Sequence, residues 1–159
     1  MLPDDVFRTR LEATAADLAL WAESVHDAAD VVVSDGPGFW RLAVTPHVAG
    51  ACPFELLLRA DQKMDMTVAG ETYEDRPVPP LDRLPVFVRA IEEGRVVERH
   101  WQSLDTGTPA VVETIVSPAT GEAWRDEHLL VSERPATAPA PRLCKRDRHF
   151  LPYRRLTRS

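Results

Sequence analysis

The segment from Phe54 to Gly70, FELLLRADQKMDMTVAG, constrains the fold more tightly than any other part of the chain. Apolar residues flank its charged centre, and six large ones share even-numbered positions, namely Phe54, Leu56, Leu58, Met64, Met66 and Val68, whereas Leu57 is the one large apolar residue at an odd position. Side chains alternate between the faces of a strand, and residues opposite each other in an antiparallel pair share a face. The common parity therefore predicts a β-hairpin that pairs Leu58 with Met64 and bends near Asp61. We interpret the charged residues as the bend and exposed side of this hairpin, not as a catalytic cluster.

Two amphipathic helices are predicted to cover the apolar face of such a sheet. Between residues 4 and 28, apolar side chains recur at steps of three and four, and Asp4 and Asp5 favour a helix start. A second stripe runs through residues 82–94, where Pro85 suits a first helical turn and Gly94 suits a C-terminal cap. The chain therefore starts in a helix and returns to one near its middle.

Strand patterns account for most of the remaining body. Three strands or more are predicted before the polar link ETYEDRPVPP, residues 71–80, and three after it, beginning at Val96, Ala110 and Glu122. The order α-βββ-α-βββ predicts an α+β fold with a mainly antiparallel sheet and with the N-terminal and central helices packed on one face. This order resembles that of type III secretion chaperones. It is also similar to glyoxalase-like metalloenzymes and to NTF2-like cones, and the three architectures stay open.

Charge divides the chain into an acidic body and a basic tail. Residues 1–141 hold 12 Lys and Arg against 24 Asp and Glu, net −12, whereas residues 142–159 hold seven basic residues and one acid, net +6. We predict one α+β domain over residues 1–134, followed by a Pro-rich linker and basic tail over residues 135–159. The tail is expected to dock on its own acidic body or on a second subunit; the alternatives are an acidic protein partner, nucleic acid or anionic lipid. The acidic body argues against nucleic-acid binding by the folded domain, because phosphate contacts need Lys and Arg.

Several classes of protein lack support in the sequence. No apolar run reaches about 18 residues, so we expect no membrane-spanning helix. The N-terminal segment carries acids where a signal peptide has an apolar stretch, and we expect a cytoplasmic protein. Cys52 and Cys144 stand alone instead of at metal-ligand spacing, so we predict no metal or other cofactor. The motifs of P-loop proteins, zinc proteases and serine hydrolases are absent.

A His/Asp pair on the last predicted strand is the sharpest enzymatic hypothesis. If the loop SPATG closes a hairpin, Thr114 is expected opposite Trp124, with Asp126 and His128 on the same side of that strand. His100 belongs to an earlier strand. A carboxylate can orient an imidazole, whose pKa lies near working pH, so His128, Asp126 and His100 are the candidate catalytic residues. The alternative is that they lie on the wet face of an antiparallel sheet.

A small-ligand pocket is the other hypothesis. We expect its walls to come from aromatic and thioether side chains between sheet and helices, namely Trp40, Trp101, Trp124, Met64 and Met66. The same residues could instead fill a core. We therefore predict a dimeric binding, adaptor or chaperone-like domain whose partner is an acidic protein or a small molecule. The alternative is a hydrolase, isomerase or lyase that uses the His/Asp pair.

Overall fold

The fold is known from a computed structural model, which describes residues 1–130, 140 and 142–154. Its elements are α1 (Asp4–Ser24), β1 (Ala29–Gly36), β2 (Phe39–Pro46), β3 (Phe54–Arg59), β4 (Lys63–Val68), β5 (Glu71–Pro77), a 3-10 turn (Leu81–Arg83), α2 (Leu84–Glu92), β6 (Val96–Ser103), β7 (Pro109–Val116), β8 (Trp124–Leu129) and β9 (Leu143–His149). All strand pairs in its two sheets are antiparallel. The α+β class and the order of the helices are confirmed.

The first sheet is a five-stranded meander in the order β1-β2-β3-β4-β5. The predicted hairpin forms its centre, with Leu58 opposite Met64 and Phe54 opposite Val68, as the parity requires. Gln62 takes a positive φ of 63° in the bend. The even-numbered side chains of this hairpin are buried, so one face of the sheet is committed to the core.

The second sheet has four strands in the order β8-β7-β6-β9. Strand β9 lies in the segment predicted as linker and tail, and it pairs with β6 so that His100 is opposite Arg146. The predicted linker covers residues 135–141, and of these the structure describes only residue 140. The domain boundary at residue 134 therefore lies outside the described residues and stays a prediction.

Both helices bury their apolar stripes in one core, where Trp21 of α1 packs on Phe54 of β3 and Phe87 of α2 packs on Trp124 of β8. Helix α1 contributes Phe7, Leu18 and Trp21 to the core, and α2 contributes residues at steps of three and four, Leu84, Val88 and Ile91. The helices are also joined directly, because Trp21 Nε1 donates to Glu92 Oε2 at 2.8 Å. This hydrogen bond satisfies the only polar atom of a buried indole.

The described end of the tail packs against the body. Phe150 and Tyr153 are buried, and the Tyr153 hydroxyl donates to the backbone oxygen of Cys52 at 2.7 Å. Burial raises the pKa of the Tyr153 phenol. Arg154 donates to the backbone oxygen of Ser24 at 2.7 Å and pairs with Asp27 and Glu92. Its last described residues therefore join the C-terminal ends of α1 and α2.

Two local predictions differ from the structure. The link ETYEDRPVPP contains strand β5, because its backbone completes the edge of the first sheet although Tyr73 is its only buried residue. In the β7–β8 hairpin, Val116 lies opposite Trp124 and Thr114 opposite Asp126, a shift of two residues from the predicted pairing. The connection is longer than SPATG and runs from Ser117 to Ala123, which moves the strand start.

Within the described part of the chain, no helix is long and apolar enough to cross a membrane. Nor do the described residues contain a group of three or more His, Cys, Asp or Glu side chains that could hold a metal ion.

Candidate functional site

A small cavity opens between the two sheets and α2, and we call it the Met–Trp cavity. Its volume is about 150 Å³. Met64 and Met66 on β4 form one side, Leu84 and Phe87 on α2 form another, and Trp124 at the start of β8 closes it. The remaining lining residues are Pro79, Pro80, Arg83, Val86, Pro118, Glu122 and Ala123. The interior is thus apolar, with one cation and one anion among its lining residues.

Local periodicity explains why these side chains converge. Met64 and Met66 share the core parity of the hairpin, and Leu84 and Phe87 are three residues apart on the inner stripe of α2. Trp124 lies in the same cross-strand row as Val96 and Val116, on the face of the second sheet that turns toward α2. Each element therefore supplies its core-facing side chains to one space.

Aromatic contacts hold the Trp124 wall in place. Trp124 meets Tyr73 edge to face, with ring centroids 5.5 Å apart, and it meets Phe87 in the same manner at 5.7 Å. Tyr73 also stacks on His128 with centroids 4.5 Å apart. Its hydroxyl lies 2.6 Å from Thr114 Oγ1, and both residues are fully buried. Burial raises the pKa of Tyr73 to about 12. These contacts join β5 of the first sheet to β7 and β8 of the second, and we call them the seam.

A larger concavity adjoins the cavity, and we call it the proline groove. It has a volume of about 920 Å³ and runs between α1, the β3–β4 bend and residues 77–82. Pro79 and Pro80 line both the groove and the Met–Trp cavity. At the other end, Gln62 makes reciprocal hydrogen bonds with the backbone of Leu2, at 2.7 and 3.0 Å. The two spaces are therefore neighbours that share Pro79 and Pro80 as a common wall.

Three of the five predicted pocket residues line this site. Met64, Met66 and Trp124 come together in the Met–Trp cavity. Trp40 is buried in the core under the first sheet, and Trp101 is half-buried in the row of Val111, on the face of β6 opposite to that of His100. Neither of these two tryptophans lines the cavity.

The predicted catalytic residues lie in two neighbouring rows of the second sheet, with Asp126 and His128 at the seam and His100 farther away on β6. One row runs Glu98, Thr114, Asp126 and the next runs His100, Val112, His128. His100 and His128 are thus separated by a whole strand, roughly 10 Å between backbones at the usual strand spacing. The structure places all three candidates on one face, without bringing the two histidines into contact.

Each of these polar side chains already has a partner. Arg76 binds both carboxylate oxygens of Asp126, at 2.6 and 3.1 Å, and this pairing raises the pKa of Arg76. His128 Nε2 lies 2.6 Å from the backbone oxygen of Thr72, and His100 Nε2 bonds to Glu98. No buried side-chain nitrogen or oxygen in the described residues lacks a hydrogen-bond partner. Because its polar groups are satisfied by one another or by backbone, the seam is well suited to holding the two sheets together.

Tyr73, Arg76, Phe87 and Arg83 were not singled out by the sequence. Phe87 carried a usable signal, since it lies one residue from the main stripe of α2 on its buried side. The other three carried none, because their partners belong to another sheet or to a distant loop. Arg83, for example, reaches the β7–β8 loop at Gly121, where an added Cβ would lie 2.5 Å from its guanidinium.

No protein-family model, curated protein or solved structure matches this chain.

Proposed function

We propose that this chain is a protein-binding domain of the adaptor or chaperone-like kind. It takes an extended partner segment in the proline groove and anchors one apolar side chain of that segment in the Met–Trp cavity. The observation that carries this proposal is that the groove and the cavity lie side by side, with Pro79 and Pro80 lining both.

Size favours a side chain over a metabolite. Pockets for small molecules usually measure about 300–1,000 Å³, whereas an apolar cavity of about 150 Å³ accommodates a group the size of benzene. The Met–Trp cavity has that smaller size. A single Leu, Met or Phe side chain fits it, and methionine walls adapt to different shapes. The rest of a peptide would occupy the wider groove.

The charged residues that line the proline groove indicate which residues should flank the apolar anchor in the partner segment. The groove is lined by four acids, Asp17, Asp61, Asp75 and Asp82, against two bases, Arg10 and Lys63. Asp61 and Asp75 already pair with Arg59, which leaves Asp17 and Asp82 outside that cluster. An apolar anchor with a nearby Lys or Arg suits this lining better than an acidic segment.

The docked tail supports the same function indirectly. Arg154 fastens the end of α1 near Asp27 to the end of α2 at Glu92. Because α1 forms one wall of the groove and α2 one wall of the cavity, this contact helps to fix their relative positions. In this proposal the tail is an internal support and not a partner-binding arm.

Peptide selection with the purified full chain tests the proposal. Selected peptides should share one apolar anchor, and replacing that anchor with Ala should weaken binding by about 1.5–3 kcal/mol, roughly 10- to 150-fold. Val86 lines the Met–Trp cavity and is 38% exposed, so a larger side chain at this position narrows the cavity. Val86→Trp should therefore abolish the contribution of the anchor to the binding free energy. Leu20→Trp, on an exposed part of α1 outside both spaces, is the matched control. Equal binding by Val86→Trp and wild type would refute the proposal.

The enzymatic alternative, with His128, Asp126 and His100, stays a prediction. The partners of Asp126 and His128 at the seam favour a structural role, because a general base needs a free path to its substrate. His128→Ala separates the two functions. A binding domain should lose stability and keep its anchor-dependent peptide affinity, whereas an enzyme should lose turnover of its substrate.

A further inference from the structure

The outer edge of the first sheet, strand β1, is built differently from the other sheet edges. Strand β5, at the opposite edge, is covered by the seam, where His128 on β8 reaches the backbone oxygen of Thr72. The same seam covers one side of β8. Strand β9 is an edge, and it carries the exposed cations Lys145, Arg146 and Arg148. Such charges are a usual protection against pairing with another chain.

Strand β1 lacks such cations, and its two charged residues, Asp30 and Asp35, lie toward its ends. Its sequence is ADVVVSDG, eight residues with no Lys, Arg or Pro. Val32 is 54% exposed on the outer face and Val33 is 44% exposed on the face that carries the core side chains. Among the described strands, β2 is its sole neighbour. A long, apolar edge of this kind needs a pairing partner to avoid uncontrolled association.

We infer that β1 pairs with β1 of a second copy of this chain, in an antiparallel arrangement about a two-fold axis at Val32. The two five-stranded sheets then form one continuous sheet. A two-fold axis perpendicular to the sheet keeps each face on its own side, so paired residues must share parity. This requirement leaves registers centred on single residues.

The register centred on Val32 is the one in which β1 complements itself. It sets Val32 against Val32 and Val31 against Val33 of the second copy, so every valine meets a valine. Asp30 comes opposite Ser34, and Asp35 comes opposite Ala29, so no acid faces an acid. A register centred on Val33 would instead place Val31 against Asp35 and Val32 against Ser34, so two of the three valines would lose their apolar partners.

Charge also favours a second copy in this register. Ser34 lies opposite Arg41 on β2, so Asp30 of the second copy joins the cross-strand row that contains Arg41. Within its own chain, Asp30 is 3.0 Å from His47 Nε2. At the join, Asp30 therefore lies beside His47 of its own chain and in the cross-strand row of Arg41, whose guanidinium also pairs with Glu55, whereas an acidic partner strand would place more carboxylates in that row.

Light scattering on the full chain across a wide range of concentration tests the inference. Wild type should show twice the chain mass. Val32→Lys sets two ammonium groups opposite each other at the axis, and it should raise the dimer dissociation constant by at least about tenfold. Leu20→Lys alters a residue that is 66% exposed on α1 and should leave the dimer unchanged. Circular dichroism checks that both variants are folded.

Cysteine trapping tests the register independently of dimer strength. In a Cys144→Ser background, Val32→Cys should form a disulfide-linked dimer under mild oxidation, because directly opposed Cβ atoms lie about 4.5–5.5 Å apart. Val33→Cys is the control, since its nearest copy is diagonal at roughly 7–8 Å. A monomeric wild type overturns the inference, as does a dimer that survives Val32→Lys and fails to cross-link at residue 32.

Discussion

Replacing Tyr73 with Phe tests the seam, because it removes one oxygen and keeps the ring that supports Trp124. The Tyr73 hydroxyl lies 2.6 Å from Thr114 Oγ1 and 3.4 Å from the backbone oxygen of Asp126. Both Tyr73 and Thr114 are fully buried. In Tyr73→Phe the Thr114 hydroxyl loses its partner in a place that water does not reach.

The expected cost follows from that burial. A neutral hydrogen bond contributes about 1 kcal/mol, and a buried hydroxyl left unpaired costs about 1–3 kcal/mol. We expect Tyr73→Phe to lower the free energy of unfolding by about 2 kcal/mol at neutral pH. Thr114→Val should have a similar effect. The double variant should be nearer to wild type than the sum of the two, because both polar partners are then gone.

The pH dependence of this difference is a second, independent part of the prediction. Burial raises the pKa of Tyr73 to about 12 from an ordinary value of 10.0. A phenol that holds its proton more tightly in the folded chain stabilises the fold below pH 10, and this contribution is lost as pH rises through 12. Over two pKa units the full loss amounts to about 2.7 kcal/mol, of which about 2 kcal/mol falls between pH 9 and pH 12. Tyr73→Phe has no such phenol, so its deficit relative to wild type should shrink by about that amount between pH 9 and pH 12.

Urea unfolding, followed by far-ultraviolet circular dichroism, measures both quantities. The burial of Cys52 and Tyr153 raises their pKa values too, but these groups are present in both proteins and cancel in the difference. A deficit below about 0.5 kcal/mol at neutral pH, with no coupling to Thr114→Val, would refute the seam as the structure has it. If the stability deficit of Tyr73→Phe stays constant across alkaline pH, the burial of the Tyr73 phenol is refuted.

Three further predictions concern the tail. Gly94 and Gly70 both have positive φ, but an added Cβ at Gly94 would lie 2.6 Å from the backbone of the tail, whereas one at Gly70 meets open space. Gly94→Ala should therefore destabilise the fold by well over the roughly 1 kcal/mol expected for Gly70→Ala. Thermal unfolding of the two variants measures this difference. Arg154→Ala should raise the pKa of Asp27 toward its ordinary value, since the Arg154 hydrogen bond is what lowers it, and a carboxyl titration by NMR would detect this. Removing residues 142–159 should cost at least about 3 kcal/mol, because two buried aromatic rings leave the core; unchanged melting and assembly would contradict the docking.

The elements that the sequence predicted correctly are those whose signal is contained within one segment. The hairpin of β3 and β4 follows from parity alone, and the pairing of Leu58 with Met64 needs no information from elsewhere. The same holds for α1 and α2, whose stripes and terminal residues are local. Burial of one face is enough to determine such elements.

The elements that the sequence missed depend on neighbours far along the chain. Strand β5 carries a single buried side chain, Tyr73, and its burial depends on Thr114 and Trp124 in the other sheet. Strand β9 has the sequence LCKRDRH, which is too highly charged to show a strand pattern. It can still form a strand because it lies at an edge, where backbone pairing with β6 holds it and its side chains stay in water. No periodicity could reveal either strand.

The residues of the candidate site were predicted or missed for the same reason, according to whether their signal is local. Parity placed Met64 and Met66 on the buried face, but it could not tell which of the four tryptophans would border a space and which would fill one. Asp126 and His128 were correctly predicted to share a side of β8. Their partners Arg76 and Thr72 come from β5, which the pattern had assigned to a link.

The proposal of binding over catalysis rests on the separation of the seam from the groove and the Met–Trp cavity. At the seam, Arg76, Asp126, Thr114 and His128 use their polar atoms on one another or on backbone, within the described structure. The proline groove and the Met–Trp cavity lie elsewhere and are lined mainly by carbon atoms. A catalyst needs polar groups that are held in place yet turned toward its substrate. Here the held groups join the two sheets, while the open surface offers shape, apolar area and a few acids, which are the means by which a protein recognises another chain.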